Sequence, residues 1–245
     1  MAATAIVTGG TGGLGHAVTE RFLADGWRVV VPWVARAPAA GASAHGGGEG
    51  GSDELERMGA HDGLELIQAD LFDEPSVASV VRLAAQDEGR PLRAVVNLVG
   101  GFSEGGRIHE TPIDDFEGQL RLNLRPTYLV TSAALPHLLD RGGSVVCVST
   151  RAALRPFPGA AGYITAKAAV LAFVDAAAVE YRKDGVRVNA VLPSIIDTPA
   201  NRAANPDGNY DTWVRPQEIA DVIAFLCSDA AAVTSGAHVP VYGRA

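Results

Sequence analysis

Cysteine is scarce. Only Cys147 and Cys227 occur among 245 residues, each inside an apolar run ("SVVCVS" and "VIAFLCS"). Buried free thiols suit that setting better than a disulfide or a metal site. The six histidines are scattered, with no HxxH or CxxC pair, so no metal is expected; His109 and His137 read as surface residues. Positive charge is also short. Against 28 Asp and Glu stand 20 Lys and Arg, leaving a net charge of −8, which argues against nucleic acid or an anionic membrane as partner. No apolar run reaches the ~18 residues of a membrane span. The opening "MAATAIVTGG" lacks the basic region and long apolar stretch of a secretory signal. A cytoplasmic protein acting on a small molecule is the expectation.

What the chain has in quantity is core-forming material, 47% hydrophobic residues against 20% charged. Short Val-rich runs alternate with longer helical patterns. "TAIVTGG", "WRVVVPWV", "LELIQADL", "RAVVNLVGG", "GSVVCVST" and "VRVNAVLPS" read as strands, and "AHVPVYG" as a last short one. Between them "GHAVTERFLADG", "SVASVVRLAAQDEG", the long proline-containing "FEGQLRLNLRPTYLVTSAALPHLLDRGG", "GYITAKAAVLAFVDAAAVEYRKDG" and "RPQEIADVIAFLCSD" read as helices. Strands apolar on both faces belong in a parallel sheet covered by helices. The repeated βα order predicts an α/β, doubly wound Rossmann fold, one domain over residues 1–245. Residues 35–52, "ARAPAAGASAHGGGEGGS", are rich in Gly, Ala and Ser and are expected to form a flexible surface loop. Any helix after it shrinks to turns around "SDELERMG".

Two local patterns bear chemistry. "TGGTGGLG", Thr8 to Gly15, follows a strand and opens a helix, with five glycines in eight residues. Glycine lets a backbone approach a pyrophosphate, and the helix start directs free N–H groups and the positive dipole end at it. A ligand-free βα turn needs fewer glycines. Further on, Tyr163 and Lys167 are four apart in a helical pattern, so they share one face. An ammonium nearby favours the phenolate and would lower the tyrosine pKa from about 10. Tyr163 then exchanges a proton with a carbonyl or alcohol oxygen as a general acid–base. YxxxK alone is common by chance; its weight comes from the glycine loop and the hydroxyl-bearing strand upstream.

The spacing Thr8-Gly9, Gly13, Gly15 is TGxxxGxG, and with Tyr163-x-x-x-Lys167 it resembles the short-chain dehydrogenase/reductase family over nearly the whole chain. The resemblance implies catalytic roles for Asn123, Thr150, Tyr163 and Lys167. Lys167 would also hold the cofactor ribose, and Asn123 would anchor a water that links Lys167 to solvent. The cofactor would meet Gly9, Thr11, Gly13, Leu14 and Gly15 at the glycine loop, and Asp70 and Leu71 after the third strand. "NLVGG" stands where the family has NNAG and keeps Asn97 and Gly100. "LPSIIDTP" resembles the PGxxxT segment, with Ser194 for glycine, and brings Ile196 and Thr198 to the nicotinamide. "VGGF", "AALRPFPGAAGY" and "DTPANRAANPD" look most like the dihydropteridine-reductase branch. The segment "PANRAANPDGNYDTWV", 199–214, would be a short substrate lid, in which Tyr210 and Trp213 either stack on substrate or pack the lid itself.

The family's catalytic hydroxyl usually lies thirteen residues before its tyrosine, and thirteen before Tyr163 is Thr150. Neighbours on a strand face opposite sides, so Ser149 is expected to be structural. Arg151 either orients an anionic substrate or is solvated. At the end of the second strand, Val31-Pro32-Trp33-Val34-Ala35-Arg36 offers no acid to repel a 2′-phosphate. Trp33 and Arg36 are therefore candidate cofactor contacts, and NAD(P) is the cofactor with a lean to NADP(H). The expected function is hydride transfer between a nicotinamide and a carbonyl or secondary alcohol. A non-redox epimerase or dehydratase, or a cofactor-sensing module without catalysis, would use the same scaffold. Alanine-rich helix faces such as "AKAAVLAFVDAAAVE" point to a homo-oligomer, and the resemblance to a tetramer.

Overall fold

A computed structural model describes residues 3–34 and 61–244. The expected loop at 35–52, the turns around "SDELERMG" and Arg36 lie outside the described residues. The described chain runs β1 (Thr4–Thr8), α1 (Gly13–Ala24), β2 (Arg28–Trp33), β3 (Leu64–Gln68), α2 (Glu74–Ala85), β4 (Leu92–Asn97) and α3 (Ile113–Leu139). It continues through β5 (Gly143–Val148), α4 (Ala161–Glu180), β6 (Val186–Pro193), α5 (Pro199–Ala204), α6 (Pro216–Cys227) and β7 (His238–Val241).

The seven strands form one parallel sheet in the order β3-β2-β1-β4-β5-β6-β7. Side chains alternate across each strand. Ile6, Val30, Val95, Val145 and Val188 face the layer of α2, α3 and α4. Ala5, Val7, Val29, Val31 and Val146 face the layer of α1 and α6. Both faces are covered, which is why the central strands read as Val runs with no polar face.

Strand order reverses between β1 and β4, whose ends are paired Thr8 to Asn97. The Thr8 hydroxyl ties the two ends together, donating to the Val96 carbonyl at 3.4 Å and accepting from the Leu98 amide at 3.1 Å. Ligands of open α/β sheets bind at this switch point, beyond the carboxyl ends of the strands.

Helix α3 holds two prolines, Pro126 and Pro136. Helix α4 is long and apolar enough to cross a membrane by length and composition. Its buried face, with Ala166, Val170, Val174 and Ala177, is packed into the core beside β5 and β6. Cys147 and Cys227 are buried free thiols, and burial pushes them up to about 12 and about 11.

Candidate active site

The N-terminus of α1 is open. Its N-cap is Gly12 with no side-chain cap, and its first turn carries no acid. Helices α2 and α5 are capped by Asp73 and Thr198, and Glu218 closes a capping box on α6. Helix α4 also starts without a side-chain cap or a first-turn acid, so what sets α1 apart is the glycine loop before it, which leaves its free N–H groups open to an anion. The loop before it turns at Gly9, where φ is +65°, a conformation that only glycine adopts without strain. A side-chain carbon at Gly15 would lie 1.9 Å from the Gly9 carbonyl oxygen, so helix and loop touch backbone to backbone. At Gly12 the nearest atom to such a carbon is 3.5 Å away. That open side is a cradle of the kind a phosphate fills, and the residues present fit a dinucleotide.

The other candidate residues surround this switch point unequally. Asp70 is exposed beyond β3 and accepts from the Phe72 amide at 2.9 Å, which shapes the turn. Leu71 is buried in the core, so only its backbone faces outward chemistry. Asn97 is buried too; its amide donates to the Thr131 hydroxyl at 2.9 Å, deep under α3. Its side chain belongs to the core rather than to the cleft. Trp33 is half-buried at the end of β2, and Leu14 packs against the α1 side of the core. Thr198 reaches the glycine loop. A side-chain carbon at Gly13 would come within 3.0 Å of its methyl group. Ile196 pairs with Val214 in an isolated bridge, and its carbonyl accepts from Asn201 at 2.7 Å.

Asn123, Thr150, Tyr163 and Lys167 come from α3, the end of β5, and α4. Asn123 is wholly buried and makes a reciprocal pair with Gly101: its Nδ2 donates to the Gly101 carbonyl and its Oδ1 accepts from the Gly101 amide, both at 3.1 Å. Gly100 lies where a side-chain carbon would be 2.6 Å from Asn123 Oδ1 and 3.0 Å from Lys167 Nζ. Only glycine leaves room there for both polar groups. Lys167 is buried, and its Nζ donates to the Val148 carbonyl at 2.9 Å. Burial lowers its pKa to about 8, so the ammonium still predominates at neutral pH.

Ser149 and Thr150 part company here. The Ser149 hydroxyl is buried and donates to the Lys167 carbonyl at 2.8 Å, tying α4 to the end of β5. The Thr150 oxygen accepts from the Ala152 amide at 3.3 Å and faces the Tyr163 phenol. The Tyr163 pKa is raised, first by burial and offset in part by the Thr150 hydroxyl. The expected lowering by Lys167 does not appear: its ammonium is bound to the Val148 carbonyl, and only the Thr150 hydroxyl works against the burial of the phenol. The phenol is thus protonated at neutral pH, the form that donates to a carbonyl oxygen.

Several contacts were not legible in the sequence: the Gly101 backbone around Asn123, the Val148 carbonyl under Lys167, and Phe102, whose ring meets that of Tyr163 edge-on at 5.0 Å. The "VGGF" string contains both Gly101 and Phe102, and it was the available signal. In the lid segment, Tyr210 packs on Trp213 at 4.8 Å and donates to the Asn205 carbonyl at 3.0 Å. Trp213 is buried. These aromatics pack the segment together. Arg151 lies over the Tyr242 ring, 5.5 Å from its centroid. Among the described residues, no cluster of His, Cys, Asp or Glu is arranged to hold a metal.

A family model described as enoyl-(acyl carrier protein) reductase matches residues 9–243. The 2-(R)-hydroxypropyl-CoM dehydrogenase of Xanthobacter autotrophicus is 33% identical, over 99% of this chain and 98% of that one. The (3R)-3-hydroxyacyl-CoA dehydrogenase of Rattus norvegicus is 31% identical over 98% of this chain and 95% of its own. Among solved structures, 3-ketoacyl-(acyl-carrier-protein) reductase from Brucella melitensis, complexed with NADH, superposes with a TM-score of 0.81 at 26% identity. That match covers 99% of this chain and 98% of the other. The chain is an NAD(P)-dependent oxidoreductase acting on CH–OH or C=O groups. With its parallel sheet, glycine loop and full-length relatives, it belongs to the short-chain dehydrogenase/reductase family.

Proposed function

We propose that the protein interconverts a ketone and a secondary alcohol, with Tyr163 as general acid–base. The observation that carries this reading is the meeting of Tyr163 and Thr150 beside the buried Lys167 and Asn123, at the carboxyl edge of the sheet. Thr150 holds the substrate oxygen and Tyr163 gives it a proton in reduction, or takes one in oxidation. The nicotinamide, when bound, supplies or accepts the hydride. Lys167 binds the ribose, and Asn123 anchors a water between Lys167 and solvent. Gly9, Thr11, Gly13, Leu14 and Gly15 hold the pyrophosphate, with Thr198 and Ile196 closing over the nicotinamide end. Asp70 and the Leu71 backbone take the adenine side. Asn97 acts from beneath, by fixing the end of β4.

The cofactor lean is to NADP(H), supported by the lack of any acid from Val31 to Arg36. A cytoplasmic location is supported by the net charge of −8 and two buried free thiols.

The test is Tyr163→Phe, assayed by nicotinamide absorbance over a panel of ketones and alcohols with each cofactor. Turnover should fall by ~10²–10⁴, the usual worth of a positioned acid–base, while cofactor affinity stays within about twofold. Near-wild-type turnover in the Phe variant would sink the assignment. A clear preference of the wild type for NADH over NADPH would overturn the cofactor lean alone.

A further inference from the structure

We propose that Phe157, with Phe102, forms a rigid apolar wall that selects substrates bearing an aromatic or bulky alkyl group within two carbons of the reacting carbon. This rests on the reading of Tyr163 and Thr150 as the place where the substrate oxygen sits.

Phe102 begins the wall. It follows Gly101, whose amide and carbonyl are both bound to the buried Asn123, so its backbone is fixed. Its ring stands edge-on to Tyr163 at an interplanar angle of 86°. Phe157 continues the surface, 6.2 Å from Phe102 between centroids. It belongs to the loop after β5, which is pinned to the loop after β4 by the Gly105 amide donating to Gly159 at 2.7 Å. The wall is therefore built from the two loops that flank the phenol.

Phe157 remains 41% exposed, and Phe102 against it is half-buried. Single exposed apolar residues are ordinary, but adjoining ones beside a reactive hydroxyl mark a binding surface. Phe157 lies between Pro156 and Pro158. Each proline fixes its own φ, and Pro158 also holds Phe157 away from the helical region. The ring is thus presented without being free to collapse onto the core, so little ordering cost remains when a ligand covers it. An aromatic partner gains from offset or edge-to-face packing as well as from area.

Binding rather than turnover tests this. The protein is saturated with oxidised cofactor, NADP+ or NAD+, whichever binds more tightly. That form has no hydride to give, so a ketone makes a dead-end complex. 4-Phenyl-2-butanone and 2-butanone are then titrated by ligand-observed NMR. The phenyl ketone should bind at least about tenfold more tightly. Phe157→Ala should cut that ratio to about threefold or less, leaving 2-butanone and cofactor affinity unchanged. Phe157→Leu should keep an intermediate ratio. Phe157 is partly exposed, so these variants should fold. Equal affinity of the wild type for the two ketones, or a ratio unmoved by Phe157→Ala, overturns the proposal. If Tyr163→Phe stays active while the ratio responds to Phe157, the acid–base reading falls and the wall stands.

Discussion

Two neighbouring hydroxyls on one strand end have opposite duties because the strand alternates. Ser149 points inward and spends its proton on the Lys167 carbonyl, where no substrate reaches. Thr150 points toward Tyr163, and its side-chain oxygen also caps the short turn at Ala152. Thr150→Val removes the donor at nearly constant shape. Turnover should drop by ~10²–10³, as for loss of one oxyanion donor. Thr150→Ser should retain most of it, since serine donates the same bond. Ser149→Ala should act on stability instead, costing about 1 kcal/mol for one buried hydrogen bond. Steady-state kinetics beside thermal melts separate the two. A larger loss of turnover in Ser149→Ala than in Thr150→Val would show that the wrong hydroxyl has been assigned.

At the scale of elements, the strands and helices were legible because each is specified by its own side chains. A strand buried on both faces must be apolar throughout, and "SVVCV" and "AIV" say so. The pairing of Tyr163 with Lys167 follows from the four-residue helix repeat. What was not legible depends on main-chain atoms brought together from a distance. The Val148 carbonyl under Lys167 and the Gly101 peptide around Asn123 leave no trace in side-chain pattern. The raised pKa of Tyr163 likewise comes from burial, which a spacing argument cannot see. Asn97 matched a motif position, yet its side chain serves the core beside Thr131.

The βα turn at the glycine loop offers a test at this same scale. At Gly15 a methyl group would strike the Gly9 carbonyl at 1.9 Å and Gly10 Cα at 2.6 Å, both backbone. Nothing there is the soft end of a side chain, so α1 must shift away from β1. Gly15→Ala should therefore destabilise the fold, by about 1–3 kcal/mol as for other forced overpacking, and weaken cofactor binding together with it. Gly26, with φ of +81° and open space around it, should behave differently. There the penalty is conformational only, about 1 kcal/mol, with cofactor affinity unchanged. Denaturant unfolding and fluorescence titration of NAD(P)H on both variants check this. Equal cofactor affinity in Gly15→Ala and wild type would mean that the loop does not cradle the phosphates.

For the whole molecule, the unsettled surface is the outer face of α3 and α4. Those helices pack on each other and on the sheet, and their remaining faces look outward. Tyr128 is 55% exposed and stacks edge-on with Phe173 across the two helices at 6.1 Å. Val179 is 69% exposed, and Ala172 and Ala176 are exposed beside it. Small residues flanking the exposed Tyr128 ring would let a second copy approach closely, and a two-fold axis would place α4 against its mate. Closing a second such interface elsewhere gives the four-chain assembly that the family resemblance implies. Light scattering at micromolar concentration should return a mass of four chains. Ala176→Arg should lower it to two chains or one, by placing like charges face to face in a desolvated seam. Ala176 is exposed within one chain, so the variant should still fold, as far-UV circular dichroism would register. A monomeric mass for the wild type would remove the assembly, and an unchanged mass for Ala176→Arg would move the interface off α4.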